Sequence, residues 1–156
     1  MEKKFELTDK FVFNTFGIKL FQIKCTKSFK YAKEGDLGGY VEKDENLDQE
    51  SDAWVYGNAQ VSGNARVSGN AWVSGNADIE NDNNHCGFDC FGSFNRHTHA
   101  YLTKDNKVEI TCGCFRGSIE EFEKKVEGTH SGTIYEKQYK AIINVIKIKF
   151  GLTDLI

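Results

Sequence analysis

A six-residue repeat between Ser51 and Glu80 constrains the fold of this chain more than any other feature. Its consecutive units read SDAWVY, GNAQVS, GNARVS, GNAWVS and GNADIE. The third position is always Ala and the fifth is always Val or Ile, with one variable residue between them. A period of six matches neither the 3.6-residue turn of a helix nor the two-residue alternation of a strand. Each unit therefore predicts its own short structure, repeated along the chain.

Each unit predicts one short strand followed by one bend. Side chains alternate along an extended segment, so Ala and Val point inward and the variable residue between them points outward. Gly-Asn supplies the bend because both residues tolerate positive φ. Three such sides would close a triangular turn, and turns would stack at the strand spacing of about 4.8 Å. A flexible Gly/Asn linker is the alternative, but a linker needs no Val or Ile in every unit.

The repeat resembles the hexapeptide-repeat left-handed β-helix, in which one turn takes three units. That resemblance implies the handedness of a short triangular β-helix here. Residues 35–49 predict a degenerate first turn, because Val41 and Leu47 are six apart and a two-residue slip precedes Val55. The predicted fold is mainly β with an α+β cap. The chain divides into an N-terminal β segment at 1–38, the β-helix at 39–82 and a C-terminal α+β lobe at 83–156.

Strand signals flank the repeat on both sides. Residues 5–30 contain short apolar alternations that predict strands and a hairpin leading into the repeat, with Cys25 in the core. Residues 97–115 predict a second hairpin, which turns at Asp105-Asn106.

Two capping boxes predict two helices near the C-terminus. Ser118 and Glu121 open the first, which we expect to end at Gly128. Thr133 and Glu136 open the second. Its apolar stripe consists of Tyr135, Tyr139, Ile142 and Ile146. We expect this lobe to seal the end of the repeat.

The outward positions of the repeat predict an aromatic surface. Trp54 and Trp72 are eighteen residues apart, so with three units per turn they stack on one side. Gln60 and Asp78 then share the second side, and Arg66 lies on the third. Paired exposed indoles are typical of a docking face for a partner or a sister subunit. The alternative is that flanking lobes of the same chain cover them. The candidate partner-binding residues are Trp54, Trp72, Tyr56 and Arg66.

Histidines and cysteines in the second hairpin suggest a metal site. If paired residues sum to 211, His97 faces Cys114 and His99 faces Cys112, within reach of a tetrahedral zinc ion. Cys86 or Cys90 could substitute. The alternative is that Cys112 and Cys114 continue a buried apolar row. These spacings are unusual for zinc, and a slip of one residue in the turn would separate the ligands, so packing is favoured and no cofactor is expected.

The sequence favours a protein that is not an enzyme. Cys114 and His97 could form a nucleophile–base pair, but the sequence gives no signal of a third group that orients the base or of an oxyanion hole. We interpret His85 and His130 as solvated loop histidines. Acyltransferases with hexapeptide repeats use longer stacks and a histidine near them, which residues 51–80 lack. No catalytic residue is predicted.

Composition restricts the location and the partners. The net charge is −3 with scattered basic residues, which does not favour nucleic acid or an anionic membrane surface. The N-terminal sequence MEKKFELTDKF has no apolar signal region, and the cysteine count is odd at five. We therefore expect free thiols and a cytoplasmic protein.

Several motifs together resemble a family of small phage and prophage hexapeptide-repeat proteins. They are GDLGGYV, SDAWVYGNA with following GNAxVS units, CGCFRGSIEEFEKKV and EKQYKAIINVIKI, within residues 20 to 150. The resemblance implies a phage-encoded, oligomeric binding protein in the cytoplasm of a bacterial host. It makes inhibition of a host defence factor, in the manner of an anti-CRISPR, a reasonable expectation. Alternatives are a virion or scaffold component, a protein that sequesters a small signalling molecule and, remotely, an acyltransferase.

Overall fold

The computed structural model describes residues 2–152. Its strands are β1 (Phe5–Phe13), β2 (Lys19–Cys25), β3 (Leu37–Val41), β4 (Trp54–Val55), β5 (Gln60–Val61), β6 (Trp72–Val73), β7 (Asp78–Ile79), β8 (His85–Phe91), β9 (Arg96–Leu102), β10 (Val108–Cys112) and β11 (Phe115–Ser118). Its helices are α1 (Ile119–His130) and α2 (Ile134–Lys149). The sheets have the orders β1-β2-β3-β5-β7, β11-β10-β9-β8 and β4-β6. The chain is therefore mainly β with two C-terminal helices, as predicted.

The N-terminal hairpin consists of β1 and β2, and β3 continues the same sheet toward the repeat. Its turn is stabilised by Asn14, whose Oδ1 accepts hydrogen bonds from the amides of Phe16 and Ile18 at 2.9 and 3.0 Å. Cys25 pairs with Phe5 at the other end of the hairpin, and both are fully buried. The predicted hairpin and the core position of Cys25 are confirmed.

The repeat units pair in parallel at a spacing of eighteen residues. Trp54 pairs with Trp72 between β4 and β6, and Gln60 pairs with Asp78 between β5 and β7. The Ala at position three and the Val or Ile at position five are buried in every unit, as predicted. They are Ala53, Val55, Ala59, Val61, Ala65, Val67, Ala71, Val73, Ala77 and Ile79.

The predicted two-residue slip lies between Leu47 and Trp54. Val41 pairs with Val61 and Leu47 pairs with Val67, so both pairs are twenty residues apart instead of eighteen. The buried Lys4 side chain fills the widened corner. Its Nζ donates to the carbonyl oxygens of Ser51 and Ala53 at 2.6 and 2.5 Å. The backbone carbonyl groups at this corner are therefore hydrogen-bonded by a side chain from outside the repeat.

The C-terminal sheet lies between the repeat and the two helices. On one of its faces, the Thr111 hydroxyl donates to the carbonyl of Trp72, and Tyr101 joins the core of the repeat. On the other face, Ala100, Ile110 and Cys112 pack with α1 and α2 in a second core. The lobe thus contacts the last units of the repeat, where Thr103 also bridges to Ala77.

Both helices begin at the predicted caps. The Ser118 hydroxyl accepts from the amide of Glu121, and the Thr133 hydroxyl accepts from the amide of Glu136. The predicted end of α1 at Gly128 is wrong, because the helix runs to His130, and Gly132 takes the positive φ of 77°. Within residues 2–152, neither helix is long and apolar enough to cross a membrane.

Candidate functional site

The two tryptophans lie side by side on neighbouring strands, as predicted, but they do not form an exposed face. Trp54 is only 1% exposed, and Trp72 is half-buried. Phe29 packs edge-on against Trp54 with ring centroids 5.3 Å apart, and Tyr31 lies 5.0 Å from Trp72. Phe29 and Tyr31 both belong to the segment between β2 and β3. The expectation of two exposed indoles is therefore wrong for Trp54, because the chain covers it.

The other two predicted partner-binding residues lie at different places. Tyr56 is half exposed and stacks on Trp72 with centroids 5.6 Å apart. Arg66 lies beside the bridge that joins Leu47 and Val67, and its guanidinium pairs with Asp48 at 3.3 Å. Arg66 is therefore on another side of the repeat from the tryptophans.

The four candidate zinc ligands are not brought onto one face, because the hairpin pairs one residue out of the register considered for them. His99 pairs with Thr111, and Cys112 pairs with Thr98, so paired residues sum to 210. Cys112 consequently faces the helices, whereas His97 and His99 face the repeat. Cys114 is exposed beyond the end of β10. Among the described residues, no three His, Cys, Asp or Glu side chains form a group that could hold a metal ion.

The same register brings three histidines and two aspartates into one hydrogen-bonded chain. His85 Nε2 lies 2.8 Å from Asp82 Oδ1, and His85 Nδ1 lies 2.9 Å from His99 Nε2. His99 Nδ1 lies 2.9 Å from His97 Nε2, and His97 Nδ1 lies 2.6 Å from Asp89 Oδ1. We call Asp82–His85–His99–His97–Asp89 the histidine chain. Every ring nitrogen of its three histidines has a partner.

Alternation along two strands builds the histidine chain. His97 and His99 are two apart on β9, so they share the face that looks toward the repeat. His85 lies at the start of β8 opposite Tyr101 on that same face. Gly87 lies between the histidines, where a Cβ would come within 2.8 Å of both His97 and His99. Glycine at this position leaves room for the stacked rings.

The histidine chain has a buried centre and exposed ends. Burial, together with His85 and His97, lowers the pKa of His99 well below its usual value. The carboxylates at the ends are 66% and 52% exposed. The hydrogen bond from His97 lowers the pKa of Asp89, and Asn70 adds to this. Although burial opposes it, the hydrogen bond from His85 also lowers the pKa of Asp82.

The interpretation of His85 as a solvated loop histidine is wrong. His85 is 9% exposed and belongs to β8, in a stretch that its Asp and Asn residues suggested was a polar link. The His-x-His spacing of His97 and His99 could have indicated that these two members of the histidine chain share one strand face. The same interpretation of His130 is also wrong, because His130 is the last residue of α1 and stacks on Tyr139 with ring centroids 5.6 Å apart.

A cleft of about 590 Å³ opens between the C-terminal sheet and α1. Apolar and aromatic side chains line much of it, namely Phe94, Phe115, Phe122, Val126 and Tyr139. Arg96 and Lys125 add two permanent positive charges, Arg116 also borders the cleft, and none of the lining residues is acidic. We call this the cationic cleft.

Neighbouring groups adjust the cationic cleft. The guanidinium of Arg116 points to the repeat, where it donates to the Ser74 hydroxyl at 3.2 Å and lies 3.8 Å from Glu109, so Arg96 and Lys125 are the cations of the cleft. The guanidinium of Arg96 lies over the ring of Phe94 at 5.1 Å. Burial, together with the nearby thiol of Cys112, raises the pKa of Tyr139, so its hydroxyl stays protonated. The arrangement can bind an anion and cover an attached apolar group.

Comparison with known proteins assigns no family. The sequence matches no protein-family model and no curated protein.

Proposed function

We propose that this protein acts by binding and not by catalysis, and that the cationic cleft is its ligand site. The observation that carries this proposal is an apolar cleft of about 590 Å³ whose charged lining residues are all basic. Clefts of roughly 300–1,000 Å³ with apolar walls and a few convergent polar groups are typical of small-molecule sites. The chain as a whole has a net charge of −3, so the positive cleft is a local feature.

The chemistry of the cleft favours an anion that carries an aromatic ring. Arginine binds phosphate or carboxylate through two parallel hydrogen bonds, and lysine adds a point charge. Phe94, which is 75% exposed, and Phe115 offer ring faces and edges to a planar group. Sequestration of a small anionic signalling molecule, which the phage resemblance also accommodates, is the function that these residues support best.

Calorimetry with adenosine monophosphate, benzoate and inorganic phosphate tests the proposal. We expect the ring-bearing anions to bind more tightly than phosphate alone. Lys125→Ala should weaken binding about tenfold, the typical loss of about 1.4 kcal/mol for one charge-assisted contact. Lys124→Ala is the matched control, because Lys124 is the exposed neighbour on α1 and does not line the cleft. Equal binding by both variants, or binding of none of the three probes, would contradict the proposal.

We also propose that the repeat forms a short left-handed triangular β-helix, as its resemblance implies. Support comes from three parallel contacts around the repeat, which are Trp54 with Trp72, Gln60 with Asp78 and Leu47 with Val67. A crystal structure in which the path from Val55 to Val73 turns right-handed would overturn the assigned handedness.

Contact with a host protein is a second candidate function, favoured by the tip of the N-terminal hairpin. Phe11, Phe13 and Phe16 are 43%, 62% and 71% exposed there. The Phe11 and Phe13 rings pack edge-on at 5.5 Å, which makes one continuous aromatic surface. A partner captured from bacterial lysate should bind the purified protein, and Phe13→Ser with Phe16→Ser should abolish that binding. Undiminished binding would exclude this surface, and large open assemblies in solution would favour a scaffold.

A further inference from the structure

The histidine chain has four contacts but too few hydrogens to make four hydrogen bonds when its histidines are neutral. Two contacts join a ring nitrogen to a carboxylate, and two join one ring nitrogen to another. Each contact needs one hydrogen, whereas each neutral imidazole carries only one. Three neutral histidines therefore leave one contact in which two lone pairs face each other at less than 3 Å.

The two carboxylates decide where the deficit falls. Ionised Asp82 and Asp89 only accept, so they hold hydrogens on His85 Nε2 and His97 Nδ1. The inner nitrogens of His85 and His97 then present lone pairs to His99 from both sides. A neutral His99 has a single hydrogen and can donate to only one of them. One added proton completes all four hydrogen bonds.

We propose that the histidine chain is a binding site for a single additional proton, which it relays between its two ends. The proton makes His85 or His97 cationic, each paired with its own aspartate, while the buried His99 stays neutral. Transfer needs two concerted hops. One hydrogen moves from His85 Nδ1 to His99 Nε2 as another moves from His99 Nδ1 to His97 Nε2, so the charge crosses the buried ring without resting on it.

The surroundings favour the Asp89 end for the charge. The Lys149 Nζ lies 3.3 Å from the carbonyl oxygen of Asp82, which places a cation near His85. The Arg66 amide also donates to Asp82, while its guanidinium is turned to Asp48. At the other end Asn70 is neutral and donates to Asp89 at 3.3 Å. The half-buried Cys86 follows His85 on β8 but packs on the opposite face of the sheet, with the second core, so it is not part of the histidine chain.

The Asp89 end opens into a pocket, so the relay has an outlet. His97 lines a pocket of about 290 Å³ together with Tyr31, Trp72, Thr111 and Cys114. Its side chain is 11% exposed, so a proton on His97 can be exchanged there. The chain thus connects the exposed Asp82 carboxylate to a pocket at the contact between the repeat and the C-terminal lobe.

Nitrogen-15 NMR of the histidine rings at pH 7.5 tests the proposal. A free imidazole with a pKa of about 6.5 is only about one-tenth charged at this pH. We expect one positive charge within the chain, mostly on His97, with a neutral His99. His130, which lies outside the chain, is the internal reference. Three neutral rings at positions 85, 97 and 99 would overturn the proposal.

Two matched variants test the relay. Asp89→Asn removes the charge that holds the proton on His97, so the charged-ring signal should move to His85. Asp82→Asn should leave it on His97. Both aspartate side chains are more than half exposed, so both variants should fold, as their amide spectra will verify. The same ring signals in both variants would exclude transfer along the chain, and the wild-type measurement decides the proposal if either variant fails to fold.

Discussion

Single residues of the repeat differ in burial more than their shared position in the unit suggests. Trp54 and Arg66 both occupy the variable position that points outward, yet Trp54 is buried and Arg66 is exposed. The difference comes from the segment between β2 and β3, which places Phe29 on Trp54. The repeat period determines whether a side chain points inward or outward. The burial of an outward side chain depends on residues outside the repeat.

Trp54→Ala should therefore act as a core substitution. We expect it to lower the free energy of unfolding by about 3–5 kcal/mol, the usual cost of truncating a buried aromatic residue. Arg66→Ala, at the same position of its unit, should cost less than about 1 kcal/mol, because it removes only an exposed ion pair. Urea denaturation measures both. A loss below 1 kcal/mol for Trp54→Ala would mean that Phe29 does not cover the ring in solution.

The histidine chain was only partly predictable from its residues. His97 and His99 share a strand face by alternation alone, but His85 joins them only through the pairing of β8 with β9. The Asp and Asn residues at 81–84 suggested a loop, but Asp82–Asn84 form a short 3₁₀ helix, and β8 begins directly after it at His85. The sequence did not reveal the register between β8 and β9, in which His85 lies opposite Tyr101 and Gly87 lies opposite His99.

Among the elements, the repeat was more predictable than the second hairpin. Eighteen-residue pairing follows from the period of six once three units make one turn. The register of the second hairpin does not follow from a repeat period, because its turn between Thr103 and Lys107 determines it. Asn106 adopts a positive φ of 61° in that turn. One residue of difference there places Cys112 on the helix side, in the core as the packing alternative expected, and separates it from His97 and His99.

The corner glycines of the repeat are not equivalent elements of the fold. Gly63 and Gly69 both have positive φ, at 60° and 67°. An added Cβ at Gly63 would overlap the carbonyl oxygen of Glu80, whereas one at Gly69 would meet nothing within 4 Å. Gly69→Ala should cost about 1 kcal/mol for the backbone conformation alone. Gly63→Ala should cost at least about twice as much, measured by urea denaturation, and equal losses would contradict the close approach of Glu80.

The whole molecule has two cores that meet at the C-terminal sheet. The repeat and the N-terminal hairpin share the first core, and the helices share the second with the other face of the sheet. The histidine chain lies on the sheet face that meets the repeat, where Tyr101 joins the first core. Its protonation is therefore linked to the stability of the whole chain.

Acid should destabilise the protein well before its carboxylates titrate. Because the pKa of His99 is lowered in the folded state, only the unfolded state, with a pKa of about 6.5, takes up that proton as the pH falls. The free energy of unfolding should thus decrease below pH 6.5, by up to about 1.4 kcal/mol per pH unit for this one group. The lowered pKa values of Asp82 and Asp89 add a separate loss only below about pH 4.

Urea denaturation at pH 7, 6 and 5 separates this effect from the carboxylates. His99→Leu should lower the stability at every pH, because it breaks the chain, but should flatten the decrease between pH 6.5 and 5. His130→Leu should keep the wild-type pH dependence, because His130 lies at the end of α1 outside the chain. If His99→Leu and the wild type lose stability in parallel between pH 6.5 and 5, the buried histidine is not the acid-sensitive group.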